Sequence, residues 1–218
     1  MYFLDSIYRG YSPLEKTNRL LGLSIFALSC KQMCIRKIFL LLLLACFALS
    51  FRANAPLMVY SVSNGSIAFR SDAVLELIKA NSNELKGVVD ISKKQFAFRI
   101  KVSSFNGFNS PLQKEHFNEN YLETDKYPFA SFEGKIIEDI DLSVEGTYNI
   151  RAKGNLTVHG VTQERIIKTD LIVKDKIVNL HSSFTVLLAD HNITIPKVVH
   201  EKLASEIKVE VKALLIAK

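Results

Sequence analysis

Hydrophobic and polar residues alternate with a period of two along most of the chain beyond residue 55. The longest run covers residues 144–158. There Tyr148, Ile150 and Leu156 share one face, and charged or polar residues occupy the other. Alternation of this kind predicts a β-strand with one buried face. A run of 15 residues is long for a strand, which favours a strand tilted across a barrel.

Seven shorter segments also have the character of strands. They are residues 66–70, 84–90, 96–102, 130–137, 167–173, 177–188 and 207–215. Short turns such as His159-Gly160 and Lys174-Asp175-Lys176 join several of them, which indicates antiparallel neighbours rather than parallel strands with helical crossovers. Closure into a barrel protects every strand edge. The sequence therefore predicts an all-β, eight-stranded antiparallel β-barrel, with a two-sheet sandwich as the alternative.

Two segments break the alternation and predict one or two short helices. Residues 72–80 carry apolar side chains at helical spacing, and Asp72 can cap the first turn. Residues 111–123 contain no glycine and no proline after Pro111, so this segment is the better helix of the two.

The segment 33–55 has the three parts of a secretory signal. Arg36 and Lys37 form a positive start, residues 38–50 form an apolar centre, and Ala53-Asn54-Ala55 offers a small-x-small cleavage site. The apolar centre is shorter than the roughly 20 residues that span a bilayer. The pattern predicts export by a cleaved signal peptide and a periplasmic protein.

Two alternatives to this leader stay open. Pro56 follows the cleavage site directly, and Leu43-Leu44-Ala45-Cys46 loosely resembles the site at which lipoproteins are acylated. Residues 1–32 precede the signal without a motif, which suggests an over-extended gene start with Met33 as the initiator, or else an unusually long positive region. The mature chain is then one domain, residues 56–218, of a size that can bury its own core.

Charge and cysteine content change once the leader is set aside. Seven of the 28 Lys and Arg residues and two of the 22 Asp and Glu residues precede residue 56, so the remaining 21 and 20 nearly balance. A chain so balanced has no electrostatic basis for binding nucleic acid. All three cysteines also precede residue 56, so disulfides cannot hold the predicted domain together.

No familiar catalytic or metal-binding motif occurs in the chain. The five histidines (His116, His159, His181, His191 and His200) form no HxH, HExxH or HxxxH pair, and we interpret them as exposed or turn residues. The sequence predicts no cofactor, no metal and no enzyme. An alternative is a hydrolase or isomerase acting on a lipid, with His159 or His181 as its base.

Large apolar side chains concentrate on single strand faces. An eight-stranded barrel can be filled by such side chains, or it can hold one ligand. Small inward residues (Gly146, Ala152, Gly154, Ser182 and Ala213) would leave room for a ligand. The residues predicted to line the cavity are Phe69, Phe96, Phe98, Ile100, Phe132, Tyr148, Ile150, Leu156, Phe184 and Val209.

Several segments resemble one family. Residues 115–134, which end in Lys126-Tyr127-Pro128-Phe129-Ala130-Ser131-Phe132-Glu133-Gly134, are similar to the helix and the following KYPxAxF-type segment of YceI-like proteins. Residues 154–162 resemble the GxLTxHGVT hairpin of that family, and Phe184-Thr185-Val186 and Ile193-Thr194-Ile195-Pro196 stand where later motifs are expected. The resemblance runs from about Ser66 to the C-terminus.

This resemblance implies an extended, lipocalin-like barrel that is usually periplasmic and binds polyisoprenoids or other long-chain amphiphiles. One departure concerns the N-terminal hairpin. Where many members carry a histidine, this chain has Phe69-Arg70-Ser71-Asp72-Ala73, and Val88 and Val89 follow Gly87 where an aromatic residue is usual. Those elements lie near the contents of the barrel, so they put the identity of the ligand in doubt.

The sequence predicts a non-catalytic periplasmic carrier whose partner is a hydrophobic, lipid-like ligand. It predicts no nucleic-acid partner and no membrane span in the mature chain. The alternatives are an enzyme acting on such a lipid, or a structural barrel with a filled interior. An exposed apolar patch would favour the structural barrel.

Overall fold

Nine β-strands and one short helix form within residues 59–218, the part of the chain that this computed structural model describes. The strands are β1 (Val59–Asp72), β2 (Leu77–Ser82), β3 (Lys86–Asp90), β4 (Gln95–Lys101), β5 (Phe129–Ile136), β6 (Gly146–Val158), β7 (Val161–Lys174), β8 (Ile177–Leu187) and β9 (Glu206–Ala217). Helix α1 (Pro111–His116) continues as a π-helical turn over Phe117–Tyr121. The predicted signal, Cys46 and residues 1–32 lie outside the described residues.

The sheet closes because β1 and β9 pair over residues 60–71 of β1. Strands β2 and β3 share the other edge of β1 in one continuous register: Leu77 lies opposite Asp72, and Asp90 lies opposite Val59. They are two halves of one interrupted strand, so nine strands occupy eight positions around the barrel. The predicted eight-stranded antiparallel, lipocalin-like barrel is confirmed.

Buried Ser82 marks the break between β2 and β3. Its hydroxyl accepts a hydrogen bond from the Glu84 N–H at 3.2 Å, which satisfies a backbone donor that the sheet leaves free at the interruption. Leu85 then turns inward and is buried. The interruption therefore adds an apolar side chain to the interior without opening the barrel.

The predicted helix over residues 72–80 is wrong. Strand β1 extends to Asp72, residues 73–76 form a turn, and β2 begins at Leu77. Within β2 exposed and buried residues alternate strictly, because Ile78 and Ala80 face the core. The apolar residues Val74 and Leu75, which suggested helical spacing, stand exposed on the turn and belong to no buried face.

Helix α1 forms where residues 111–123 predict one. The Ser110 hydroxyl accepts a hydrogen bond from the Gln113 N–H at 3.2 Å, and Pro111 occupies the first turn. Such a cap satisfies a backbone donor that the helix leaves free, and proline at this position needs no donor of its own. No helix within residues 59–218 is long and apolar enough to cross a membrane.

The connections between strands differ at the two ends of the barrel. One end, here called the helical end, carries residues 73–76, 102–128, 159–160 and 188–205. The other, here called the closed end, carries the shorter connections 91–94, 137–145 and 175–176 and both termini of the described chain. There the Lys218 N–H donates to the Val59 carbonyl at 2.9 Å.

Packed side chains fill the closed end. Tyr60, Leu142, Val178 and Leu215 are each at most 4% exposed. The hydroxyl of Tyr148 donates to the Val144 carbonyl at 2.8 Å and so ties the β5–β6 connection to the barrel.

A second set of hydrogen bonds orders the same β5–β6 connection. The Ser143 hydroxyl donates to the Asp141 carboxylate at 2.6 Å, and the Ser143 N–H donates to it at 2.9 Å. These hydrogen bonds, first that of the hydroxyl, lower the pKa of Asp141 below its ordinary value. The ordered connection places Leu142 in the core beneath it.

Candidate functional site

The interior of the barrel contains two adjoining cavities. The inner chamber, toward the closed end, has a cavity volume of about 120 Å³, and the outer chamber, toward the helical end, has about 180 Å³. Five residues line both of them: Ile67, Ile100, Ala130, Leu156 and Phe184. Because the two cavities share this ring of side chains, which we call the waist, they adjoin one another inside the barrel.

The inner chamber is lined mainly by aliphatic and aromatic side chains from all parts of the sheet. Leu142 and Leu215 bound it toward the closed end. Among its few polar side chains, buried Ser182 donates its hydroxyl hydrogen to the Lys168 carbonyl at 2.8 Å. That hydroxyl is therefore satisfied within the barrel wall, and the chamber needs no polar ligand group there.

Two segments at the helical end complete the outer chamber. Residues 111–123 contribute Phe117, Tyr121 and Leu122, and residues 188–205 contribute Leu188, Ile193 and Leu203. We call these two segments the cover. Tyr121 is the one lining residue of the outer chamber that carries a polar side-chain group, so the chamber offers an almost purely hydrophobic surface.

Stacked aromatic rings attach the cover to strand β1. The ring of Phe69 lies 5.4 Å from that of Phe117, nearly parallel at 15°, and 5.3 Å from that of Phe105. Phe108 packs against both Phe69 and Phe117. Aromatic contacts of this kind contribute about 0.5–1.5 kcal/mol each beyond area burial, and here they hold Phe117 over the outer chamber.

His159 fastens the cover from the opposite side of the barrel. Its Nδ1 lies 3.1 Å from the His191 carbonyl oxygen, and its Nε2 lies 3.1 Å from a Glu123 carboxylate oxygen. The ring also packs edge-on against Tyr127, with centroids 4.9 Å apart. Both neighbours are hydrogen-bond acceptors, and each ring nitrogen faces one of them.

Neither histidine considered as a catalytic base lines a chamber. His159 is occupied on both nitrogens as just described, and His181 lies on the outer face, where its Nε2 is 3.0 Å from Glu210. His191, expected to be exposed, is instead 1% exposed, with Nδ1 3.0 Å from the Val161 carbonyl. Among residues 59–218 no three His, Cys, Asp or Glu side chains are grouped to hold a metal ion.

Most of the predicted cavity residues do line the chambers. Phe96, Phe98, Ile100, Phe132, Ile150, Leu156 and Phe184 line the inner chamber, and Phe69 and Val209 line the outer one together with Ile100, Leu156 and Phe184. Tyr148 lines neither. It packs against the core beside them and directs its hydroxyl to the closed end. The role of these residues in binding a ligand stays a prediction.

Gly154 does not leave room for a ligand, contrary to the sequence analysis. It lies directly opposite Gly134 across strands β5 and β6. A Cβ atom on Gly154 would lie 2.2 Å from the Glu133 carbonyl oxygen, and one on Gly134 would lie 2.1 Å from the Lys153 carbonyl oxygen. The glycine pair therefore permits a close approach of two backbones, whereas Ala152 and Ser182 do line the inner chamber.

Sequence reasoning missed the residues of the cover. Phe117 and Tyr121 are four residues apart in a helical segment, a spacing that places them on one face, and this signal could have marked them. Leu188, Ile193 and Leu203 lie in short turns and loops, where no periodicity distinguishes an inward from an outward side chain.

Comparisons with known proteins agree with this geometry. The sequence profile of the family described as YceI-like domain matches residues 60–215. A polyisoprenoid binding domain from Saccharophagus degradans, implicated in plant cell wall breakdown, has a similar structure, with 14% identity, a TM-score of 0.63, and coverage of 74% of this chain and 99% of that one.

Two further solved structures share the fold. BcnA of Burkholderia cenocepacia is 13% identical, with a TM-score of 0.57 and coverage of 69% of this chain and 95% of its own. The YCEI protein of Campylobacter jejuni is 15% identical, with a TM-score of 0.50 and coverage of 64% and 84%. No curated protein matches the chain significantly. At these identities the structural likeness shows the fold alone.

Proposed function

Because the chain belongs to the family of YceI-like domains, we propose that it binds one long-chain hydrophobic molecule inside the barrel and carries it without chemical change. The observation that carries this proposal is the pair of adjoining chambers with their shared apolar waist. The candidate ligands are polyisoprenoids, fatty acids and similar amphiphiles. One relative of similar structure is described as a polyisoprenoid binding domain, which supports this class of ligand.

The size of the chambers supports binding of an alkyl or isoprenoid chain. An apolar cavity of about 150 Å³ stays dry and binds benzene, and each chamber here is of that order, at about 120 and 180 Å³. Burial of each methylene contributes about 0.8 kcal/mol. Association itself costs at least about 4 kcal/mol, so the ligand must bury more than about five methylenes.

The arrangement of polar groups indicates how such a ligand would lie. The inner chamber ends at the packed side chains Leu142 and Leu215, whereas the outer chamber ends at the cover, where Tyr121 is the one lining residue with a polar side-chain group. We expect the apolar tail to occupy the inner chamber and the polar end to face Tyr121 and the helical end. A few polar groups at the mouth of an apolar pocket commonly fix ligand orientation in this way.

The departures from the family motif bear on the shape of the ligand. Val89, where many members carry an aromatic residue, lines the inner chamber. Ser71 lies in the other departing segment, residues 69–73, and its buried hydroxyl accepts a hydrogen bond from the Ala204 N–H at 2.9 Å. We propose that the smaller Val89 side chain widens the inner chamber for a bulkier tail, while Ser71 holds the cover.

We place this carrier in the periplasm, on the basis of the signal-like segment 33–55. Expression from Met33 with intact-mass measurement tests the assignment. A mature chain beginning near Pro56 is expected, and a diacylglyceryl group on Cys46 would replace the cleaved signal with a lipoprotein anchor.

Extraction tests the bound ligand without a guess at its identity. The purified protein should release a long-chain molecule into organic solvent, detectable by mass spectrometry. Ala130→Phe fills the waist and should abolish that recovery while the barrel stays folded. Ala97→Phe is the matched control, because Ala97 is exposed on the outer face of β4 and the same change there should leave recovery intact.

The outcomes separate the carrier from the filled barrel. Equal recovery from both variants would show that the molecule is adsorbed elsewhere. Empty extracts from the unaltered protein, together with strong destabilisation by Ala130→Phe, would indicate an interior already packed to capacity and would contradict the carrier.

A further inference from the structure

Three apolar side chains project from the helical end into solvent. Val74 is 87% exposed, Leu75 is 64% exposed, and Val198 is 89% exposed. Scattered apolar residues on a surface need no explanation, but these stand on two loops that are fastened together. The Leu75 N–H donates to the Glu201 carbonyl at 2.8 Å. We call these three residues the apolar tip.

A row of cations lies behind the apolar tip. Arg70 on β1 pairs directly with Lys79 on β2 and with Lys208 on β9. Their sequence neighbours Phe69 and Val209 line the outer chamber, so the three cations share the outer face of the barrel. We call Lys79, Arg70 and Lys208 the cation row. Like charges directly opposite one another destabilise a sheet, so the row needs a counter-charge.

The protein supplies only part of that counter-charge. The Asp72 carboxylate binds the Arg70 guanidinium and lies 3.1 Å from the Lys208 ammonium. The Arg70 hydrogen bond keeps the pKa of Asp72 below its ordinary value, so this carboxylate is ionised at neutral pH. Lys79 has no carboxylate within salt-bridge distance among residues 59–218. Asp72 thus contacts two of the three cations, and the charge of Lys79 is left without a paired carboxylate within the described residues.

The other charges at this end are mixed, and carboxylates outnumber basic groups in its connections, which also carry Glu115, Glu119, Glu123, Asp125 and Asp190. Lys197 and Lys202 stand on the loop that carries Val198, and within the described chain neither has a salt-bridge partner. Glu201 and Glu206 are exposed on the same side, while Glu76 accepts a hydrogen bond from the Gln113 amide at 2.9 Å. Attraction for an anionic surface therefore comes from the cation row and these two lysines, not from the net charge of the end.

The spacing of these features fits a lipid surface. Arg70 precedes Val74 by four residues, a distance of at most about 13 Å at roughly 3.3 Å per residue. Proteins that lie on membranes bury apolar side chains about 5–10 Å into the boundary between headgroups and acyl chains and keep cations at the level of the phosphates. The apolar tip lies outermost, the cation row lies behind it, and the distance between them is of this size.

We propose that the helical end docks on an anionic phospholipid bilayer, with the apolar tip inserted and the cation row facing lipid phosphates. The loop that carries Val198 on its outside carries Leu203 and Ile193 on its inside, where they line the outer chamber. Docking would bring the cover of the chamber to the acyl region. The choice of a membrane as the partner rests on the proposed function, since a lipid ligand must come from a membrane.

A tryptophan reporter tests insertion directly. The chain contains no tryptophan, so Val198→Trp introduces a single indole at the tip. Val144→Trp is the matched control, because Val144 is 56% exposed on a loop of the closed end. Delipidated protein is mixed with vesicles of phosphatidylcholine alone or with added phosphatidylglycerol. We expect a blue shift of emission for Val198→Trp with the anionic vesicles only, and its reversal at high salt.

Charge reversal tests the cation row in protein that carries no introduced tryptophan. Lys79→Glu combined with Lys208→Glu should weaken co-sedimentation with the anionic vesicles by at least about tenfold, since each basic residue near the surface contributes to attraction. Lys174→Glu with Lys176→Glu is the matched pair at the closed end and should leave binding within about twofold. Val74→Asp with Val198→Asp should abolish binding.

Each contrary result overturns the proposal. These results are failure of the unaltered protein to bind anionic vesicles, equal blue shifts at positions 198 and 144, or a dimer in solution that Val198→Asp dissolves. The dimer would assign the apolar tip to a second copy. Because the vesicle assay uses delipidated protein, its failure beside a lipid-containing extract would remove docking alone. Vesicle binding beside an empty extract would remove the carrier alone.

Discussion

The two ends of the barrel are built from the same strands but differ in how they are packed. At the closed end short connections lead into Leu142, Val178 and Leu215, which are almost fully buried. At the helical end long connections lie over a cavity of about 180 Å³, and discrete contacts such as the stacked rings of Phe69 and Phe117 attach them. The closest packing thus lies at the closed end, while the larger of the two chambers lies at the helical end.

This difference in packing indicates which part of the barrel can open most readily. Segments with fewer buried apolar contacts open at lower free energy than the packed core, and the cover packs into the smaller of the two clusters of buried apolar residues, around Leu188, Ile193 and Ile207. Under the proposed function, a ligand would enter past the cover without unfolding of the sheet.

Truncation of a buried leucine should separate the two ends most clearly. Leu215→Ala removes a side chain that is 1% exposed and bounds the inner chamber at the closed end, and should lower the free energy of unfolding by about 3–5 kcal/mol. Leu203→Ala at the cover removes a partly exposed side chain that lines a cavity, and should cost less than about 1.5 kcal/mol. Urea unfolding measures both, and equal losses would contradict this difference in packing.

The glycine pair in the wall common to both ends should give the next largest effect. In Gly154→Ala the added methyl meets the Glu133 carbonyl oxygen at 2.2 Å, and strands β5 and β6 must separate, at a cost of about 1–3 kcal/mol. In Gly146→Ala the nearest atom is a Tyr148 ring carbon at 3.8 Å, so this control should change stability by less than about 1 kcal/mol. Thermal unfolding compares them.

The barrel wall was predictable from sequence because one physical signal decides it. Alternation of apolar and polar residues identifies a strand, and closure of the sheet turns the apolar face of that strand inward. Residues such as Phe96, Ile150 and Leu156 can therefore be assigned to a strand, to its inner face and to the lining of the interior from one signal. The same reasoning could not distinguish Gly154 from Ala152, since both are small and inward in phase. Only the distance to the neighbouring backbone shows that Gly154 lies at a close approach of two strands, whereas Ala152 borders the inner chamber.

The helical end was less predictable for a related reason. Val74 and Leu75 imitate an amphipathic helix because local spacing does not reveal whether a partner surface exists. His159 has the phase of an exposed residue beside a turn, yet its contacts to Glu123 and His191 are separated by more than 30 residues in sequence. Contacts between loops that are distant in sequence depend on closure of the barrel, so no local sequence pattern predicts them.

His159 provides a test of how the cover is held. His159→Ala removes both of its hydrogen-bonding contacts and its packing on Tyr127, and should cost about 1–2 kcal/mol, more than its phase beside a turn would suggest. Amide exchange in residues 111–128 should accelerate while exchange at the closed end stays unchanged.

His181→Ala is the control for this change, because His181 is exposed on the outer face with a single contact to Glu210. It should alter stability by less than about 0.5 kcal/mol. Uniform acceleration of exchange in His159→Ala would show that this residue supports the whole barrel instead of the cover.

The smallest expected effect compares two serines on one strand. Ser71, near the helical end of β1, is fully buried, and its hydroxyl accepts from the Ala204 N–H of the cover at 2.9 Å. Ser63, toward the closed end, is exposed and donates to the Leu214 carbonyl at 3.2 Å. Ser71→Ala should cost about 1 kcal/mol, because the amide loses its partner in a buried setting. Ser63→Ala should cost less than about 0.5 kcal/mol, because water replaces the lost contact.

The readout that distinguishes the serines is local rather than global. If Ser71 holds the cover, exchange of the Ala204 amide should accelerate in Ser71→Ala by up to about fivefold, the factor that corresponds to about 1 kcal/mol. Release of bound ligand should accelerate with it, whereas Ser63→Ala should change neither rate. Faster ligand release without faster exchange at Ala204 would mean that the ligand leaves by another route, and access would then no longer be a property of the helical end.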